Sequence, residues 1–128
     1  MKKLLLSAVL LLATTTHAAN ERLDAAASMG QKLGALPTTM QLCGKHTPSQ
    51  QAEMRQVLAQ LESRFSAVQG ADFAARYREG FQSAEAAAKA GAAQYKNGPP
   101  KELAATCDAF VTQYPTMLEG LRRLAQKR

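Results

Sequence analysis

Tryptophan is absent from the 128-residue chain, and only two cysteines and two histidines are present. One histidine, His17, falls in an N-terminal segment that reads as a leader, so His46 is the single imidazole of the remainder. A serine or cysteine nucleophile needs a neighbouring base, and His46 would have to serve any such site. There is no C-x-x-C pair, the usual signature of dithiol exchange, and no C-x-x-C-H for covalent haem. A glycine-rich phosphate loop is also missing. Cys43, His46 and Cys107 offer three zinc-ligand types, but a lone C-x-x-H spacing is a weak signal. Met29, Met40, Met54 and Met117 are dispersed one per element without an M-x-x-M cluster, which reads as core filling and not copper handling. Carboxylates such as Glu79 and Glu85 carry no spacing that specifies a glycosidase pair. The expectation is a non-enzymatic protein with no catalytic residues, no metal ligands and no cofactor.

Long apolar runs are equally scarce. The only one is Leu4–Ala13, interrupted by Ser7, preceded by Lys2 and Lys3 and followed by the small and polar residues Thr14–Ala19. This is the layout of a secretory signal, and the run is about half of what a membrane-spanning helix needs. Thr16 and Ala18 suit cleavage after Ala18, with a cut after Ala19 as the near alternative. The domain reading is therefore a signal peptide over 1–18 and a single helical domain over 19–128. Export to the periplasm and no stable membrane insertion are the expectations.

Charge of one sign is not concentrated. The chain carries 16 basic and 10 acidic residues; without Lys2 and Lys3 the net charge is near +4. Arg55, Arg64, Arg76, Arg78, Lys89 and Lys96 alternate with Glu53, Glu62, Glu79 and Glu85, which reads as a solvated mixed surface and not a nucleic-acid footprint. Arg122, Arg123, Lys127 and Arg128 cluster at the end of the last helix, where positive charge complements the helix dipole.

What the sequence does contain is helical periodicity. Asn20 is positioned to cap a first helix whose weak stripe is Leu23, Ala26, Ala27, Gly30, Leu33 and Leu36, ending at Gly34 and Pro37. Thr38–Lys45 reads as a connection, apolar enough to lie across the bundle. Thr47-Pro48-Ser49-Gln50 is a strong helix start with a capping-box glutamine and proline at the first position. The stripe Met54, Val57, Leu58, Leu61, Phe65 and Val68 then runs to about Gln69, where Gly70 stops it. A third helix, capped by Asp72, extends to about Tyr95, with Phe73, Tyr77 and Phe81 leading its stripe. Its second half, Ala84–Ala93, is almost all alanine and glycine and is expected to pack closely on a neighbour. Glu85 and Lys89 form a supportive i,i+4 pair. Asn97-Gly98-Pro99-Pro100 turns the chain. Leu103, Cys107, Phe110, Val111 and Tyr114 mark a fourth helix. Pro115 then either kinks it or starts a fifth, which carries Met117, Leu118, Leu121, Leu124 and Ala125.

No run alternates at period two, so the fold class is all-α: a small antiparallel bundle of four to five helices with one disulfide. Cys43 precedes one amphipathic helix and Cys107 points into the apolar stripe of another. In an oxidising compartment an even pair is expected to bond, within one chain or as a covalent dimer.

The functional expectation is binding of another protein, in an immunity-, inhibitor- or adaptor-like manner, with a homo-oligomer as a further arrangement. The candidate surface residues are Lys45 and His46 in the loop Gly44–Thr47, and Arg76, Arg78 and Glu79 between aromatic anchors. Nucleic acid is not expected as a partner. Two alternatives belong to other classes: a stress-responsive periplasmic chaperone of the holdase type, and a carrier of a small ligand or metal.

Overall fold

The computed structural model describes residues 20–95 and 97–126. The signal-peptide reading and the basic residues Lys96, Lys127 and Arg128 lie outside them. Helix α1 occupies 20–34, α2 Leu36–Cys43, α3 Pro48–Gln69, α4 Ala71–Ala92 and α5 Ala104–Gln126, the last preceded by a 3-10 turn at Lys101–Leu103. Among the described residues there is no strand, and no helix is long and apolar enough to cross a membrane. The chain is thus a helical bundle.

Local chemistry sets most boundaries. Thr47 accepts from the Gln50 N–H while the Gln50 side chain accepts from the Thr47 N–H, the reciprocal box expected from the sequence. At the other end, α3 and α4 are separated by one residue. Gly70 sits at φ +102°, a conformation side chains rarely adopt, and this lets the chain reverse at once.

Two expectations change and one open alternative closes. Thr38–Lys45 is largely helical and not a free connection: Pro37, read as a stop, sits in the first turn of α2. Proline withholds the N–H that a continuous helix would aim at the Leu33 carbonyl, so α1 ends and α2 starts afresh at Ala35. Asp72 lies inside the first turn of α4 and Gly70 takes the cap position. Of the two alternatives at Pro115, the continuous helix holds: the proline lies inside α5, and it and Val111, whose carbonyl it leaves without an intrahelical donor, are both exposed.

Successive long helices alternate in direction. Glu62 pairs with Arg78, and Phe65 meets Phe73 at 5.3 Å and Tyr77 at 5.0 Å, which makes α3 and α4 antiparallel. Tyr114 bonds to Gln50 and Ala125 lies near Ser63 and Ala67, so α5 runs alongside α3 in the same direction. Two apolar clusters result. Met40, Met54, Val57, Leu58, Leu61, Tyr114, Leu118 and Leu121 join α2, α3 and α5. Ala26, Phe73 and Tyr77 join α1 and α4, and Leu33, Phe65 and Phe81 pack against both clusters. Full burial of each large side chain contributes roughly 1.5–3 kcal/mol.

Beside this small side-chain cluster, the α1–α4 contact is close enough at its glycines for backbone to meet backbone. A Cβ added to Gly30 would lie 2.1 Å from the Tyr77 carbonyl oxygen, one on Gly34 2.2 Å from that of Phe81, and one on Gly80 2.1 Å from that of Ala27. The close approach expected for Ala84–Ala93 therefore occurs earlier on α4; only Ala84 shares in it, beside Gly34, while Ala86, Ala87 and Ala90 are exposed. At the end of this seam Arg22 donates to the Gln69 carbonyl at 3.1 Å and to Asp72 at 2.6 Å, holding α1 to the α3–α4 turn.

Cys43 and Cys107 form an intrachain disulfide with Cα atoms 5.5 Å apart, the pairing expected from the sequence. It ties the end of α2 to α5.

The glycine seam makes a two-sided prediction. Gly80→Ala and Gly30→Ala should each lower stability by about 2 kcal/mol or more, because the added methyl meets backbone that cannot step aside. Gly91→Ala, where nothing lies within 4 Å, should raise it by about 0.5–1 kcal/mol through helix propensity alone. Urea unfolding of the three variants reads both signs.

Candidate functional site

The sequence-derived candidates fall in three places. Lys45 and His46 sit beside the disulfide. Lys45 pairs with Asp108 on α5. His46 is not displayed at the surface: it is 8% exposed, edge-on to Phe110 at 5.5 Å and to Tyr114 at 5.2 Å. Neither ring nitrogen has a hydrogen-bond partner among the described residues, so the imidazole acts here as a packing ring between the cross-link and α5. Arg76 and Glu79 lie on the α1–α4 side, bonded to each other at 3.0 Å, with Asp24 of α1 3.8 Å from Arg76. Exposed pairs of this kind contribute at most about 1 kcal/mol. Arg78 alone lines a concave site.

That site is a groove of about 410 Å³ between α2, α3 and α4. Pro37, Thr38 and Gln41 contribute from α2; Arg55, Leu58 and Glu62 from α3; Tyr77, Arg78, Phe81, Glu85 and Lys89 from α4. The antiparallel α3–α4 pairing brings these together, because each turn toward the end of one helix meets a turn nearer the start of the other. Leu58 and Tyr77 are buried and Phe81 half-buried, giving the groove an apolar wall. Its charges are mostly matched: Arg78 bonds to Glu62, and Lys89 lies 3.6 Å from Glu85. Arg55 has no ion pair or hydrogen bond among the described residues. The Tyr77 hydroxyl is likewise without a partner although the residue is 2% exposed. Burial first, and then the nearby Glu62 carboxylate, push that hydroxyl well above its ordinary pKa, so at neutral pH it remains an O–H donor.

A second polar cluster joins α3 to α5. The Tyr114 hydroxyl donates to Glu53 at 2.8 Å and lies 3.0 Å from the Gln50 carbonyl, and Arg122 donates to the other Glu53 oxygen at 2.8 Å. The Tyr114 bond, then Arg122, holds the Glu53 carboxyl below the usual carboxylate range. Burial and then Glu53 push Tyr114 up to about 12. Asp72 is also lowered, chiefly by the Phe73 N–H and further by Arg22.

The third feature is one flank of α5. Phe110, Met117 and Leu124, with Leu103 just ahead of the helix, recur every seven residues. The first two and Leu103 are half-buried and Leu124 is 48% exposed. Sequence periodicity named all four without separating this flank from the buried stripe of Cys107, Tyr114 and Leu121. Arg55 and Arg22 were missed as individual residues, because the sequence does not say which charge lacks a partner or which one bridges two helix ends. Gly30 and Gly34, four apart on one helical face, were the available signal for the tight seam.

Among the described residues no group of three or more His, Cys, Asp or Glu side chains is placed to hold a metal ion. Compared with known proteins, the chain matches no family model, no curated protein sequence and no solved structure.

The Glu53 cluster sets a pH dependence. A carboxyl whose folded pKa is depressed contributes stability that is present above its unfolded value, near 4.5, and is lost as pH falls through the lower folded value. Tyr114, whose folded pKa is raised, contributes stability that is complete below pH 10 and declines as pH rises toward 12. Thermal midpoints followed from pH 2 to 12 should therefore fall below about 4.5 and again above about 10. Glu53→Gln should flatten the acid fall and Tyr114→Phe the alkaline one; unchanged slopes would contradict the assignment.

Proposed function

We propose that the protein is an exported, non-enzymatic binding protein that engages another protein through the flank of α5. The observation that carries this reading is the seven-residue recurrence of the partly uncovered Leu103, Phe110, Met117 and Leu124. Seven residues is the interval at which one helix meets another along a continuous seam, and an amphipathic partner helix reads such a face through anchors at that spacing. Within α5 the flank runs 14 residues from Phe110 to Leu124, roughly 21 Å of helix, which suits a partner helix of several turns. The disulfide and the Tyr114–Glu53–Arg122 cluster hold α5 in a fixed register, so little ordering cost falls on association.

The candidate residues Lys45 and His46 sit at the disulfide end of this helix, with Lys45 bonded to Asp108 and His46 packed on Phe110. They support the flank at Phe110 and leave the rest of the seam to apolar contact.

Photo-crosslinking in the native host tests this. A photoreactive residue at Met117 or Leu124 should give discrete protein adducts, and one at the exposed Ala87 of α4 should not. Met117→Glu should abolish the Leu124 adducts while leaving the helical circular dichroism signal intact. Equal adducts at Ala87, or none along α5, would overturn the reading.

A further inference from the structure

We propose that the folded protein carries a site of spontaneous covalent modification at Asn97-Gly98, where the asparagine is converted to aspartate and isoaspartate through a cyclic imide. The site lies in the connection between α4 and α5 and does not depend on the α5 flank.

The chemistry needs a side-chain amide, an unshielded main-chain nitrogen on the next residue, and backbone free to bring the two into contact. Asparagine occurs twice in the chain, and only Asn97 precedes a glycine; Asn20 is followed by Glu21. Glycine has no Cβ to shield its nitrogen. Gly98 sits at φ +89°, and nothing lies within 4 Å of the place its Cβ would take. Both residues are exposed. The backbone bonds that end α4 stop at Tyr95, and the next is made by Leu103 to the Pro100 carbonyl. Among the described residues neither the Gly98 N–H nor the Asn97 carboxamide has a hydrogen-bond partner. Pro99 and Pro100 have no N–H with which to brace the segment. An exposed connection without internal bonds opens at a cost near zero, so the native chain can reach the attacking geometry.

Gln69-Gly70 is the other side-chain amide followed by glycine, and it supplies the contrast. There the Gly70 N–H is committed to the Ser66 carbonyl at 3.2 Å, and the longer side chain would have to close a six-membered ring.

At Asn97 solvent base removes the Gly98 amide proton as the nitrogen attacks Cγ. The new N–C bond closes a five-membered succinimide. The bond from Cγ to the side-chain nitrogen breaks, and that nitrogen takes a proton from solvent and leaves as ammonia. Water then adds to one of the two imide carbonyls. Entry at Cγ restores the main chain and leaves an aspartate. Entry at the backbone carbonyl carbon routes the chain through the side chain, giving an isoaspartate. Water is consumed, ammonia is released and no oxidation state changes. Each product carries one more carboxylate than the parent. The disulfide and the Tyr114 bonds hold α5 independently of this connection, so the protein accumulates a second folded form that differs by one negative charge.

Ageing the purified, full-length oxidised protein in neutral buffer tests this. Ion-exchange chromatography should resolve a growing, more acidic fraction whose mass gain is that of an amide turned into an acid. Peptide mapping should place the change at Asn97, and a protein isoaspartyl methyltransferase with a labelled methyl donor should mark it. Conversion should be faster in alkaline than in mildly acidic buffer, because base removes the amide proton. The folded protein should react within about tenfold of the rate of the same chain in urea, as expected where local opening costs little. Asn97→Gln should prevent the new fraction from forming, and the modified wild-type fraction should keep its helical circular dichroism signal. No acidic fraction from the folded protein, a rate suppressed well beyond that ratio, conversion that persists in Asn97→Gln, or a modified fraction without the helical signal would each overturn the assignment.

Discussion

The covalent link between Cys43 and Cys107 is the constraint on which the arrangement of α5 depends. Helices α1 to α4 follow one another through short connections, one of them the single residue Gly70. By contrast, α5 arrives after a turn through Asn97-Gly98-Pro99-Pro100 and packs against α3. Closing a loop of 64 residues restricts the unfolded chain by about 4 kcal/mol on a loop-entropy basis. That is a large fraction of the ~5–15 kcal/mol that separates a folded domain from its unfolded state. The bridge also fixes the axial register of α5, which the Tyr114 bonds to Gln50 and Glu53 then repeat two turns further along.

Two modes of helix contact divide the molecule. On one side α1 and α4 meet backbone to backbone through Gly30, Gly34 and Gly80. On the other, α3 and α5 meet through the larger side chains Met54, Leu61, Tyr114 and Leu118, which hold their axes farther apart. Along α5, Phe110 and Met117 stay half-buried and Leu124 exposed beside this side-chain seam.

Much of this was legible in the residues themselves. The capping box at Thr47 and Gln50, the stripe from Met54 to Leu61, the Glu85–Lys89 pair and the cysteine pairing all follow from short-range spacing or from compartment, and the structure contains each of them. What was hidden depended on tertiary neighbours. Pro37 carries the same local signal whether it stops one helix or begins the next, and eight residues of α2 are too few for periodicity to arbitrate. Gly34 does end α1, as its spacing indicated, but nothing in its own segment shows that Phe81 will lie against it. Val68 belonged to the apolar stripe by spacing yet is exposed. Arg78 and Arg55 could not be told apart as paired and unpaired, because Glu62 reaches Arg78 only after the α3–α4 hairpin closes.

If the cross-link is what secures α5, breaking it should be felt there first. Hydrogen exchange compared between the oxidised protein and its Cys43→Ser, Cys107→Ser variant measures this residue by residue. The amides of 104–126 should lose protection by a hundredfold or more, with those of α3 and α4 changing far less. Unchanged protection along α5, or an equal loss across every helix, would contradict the account.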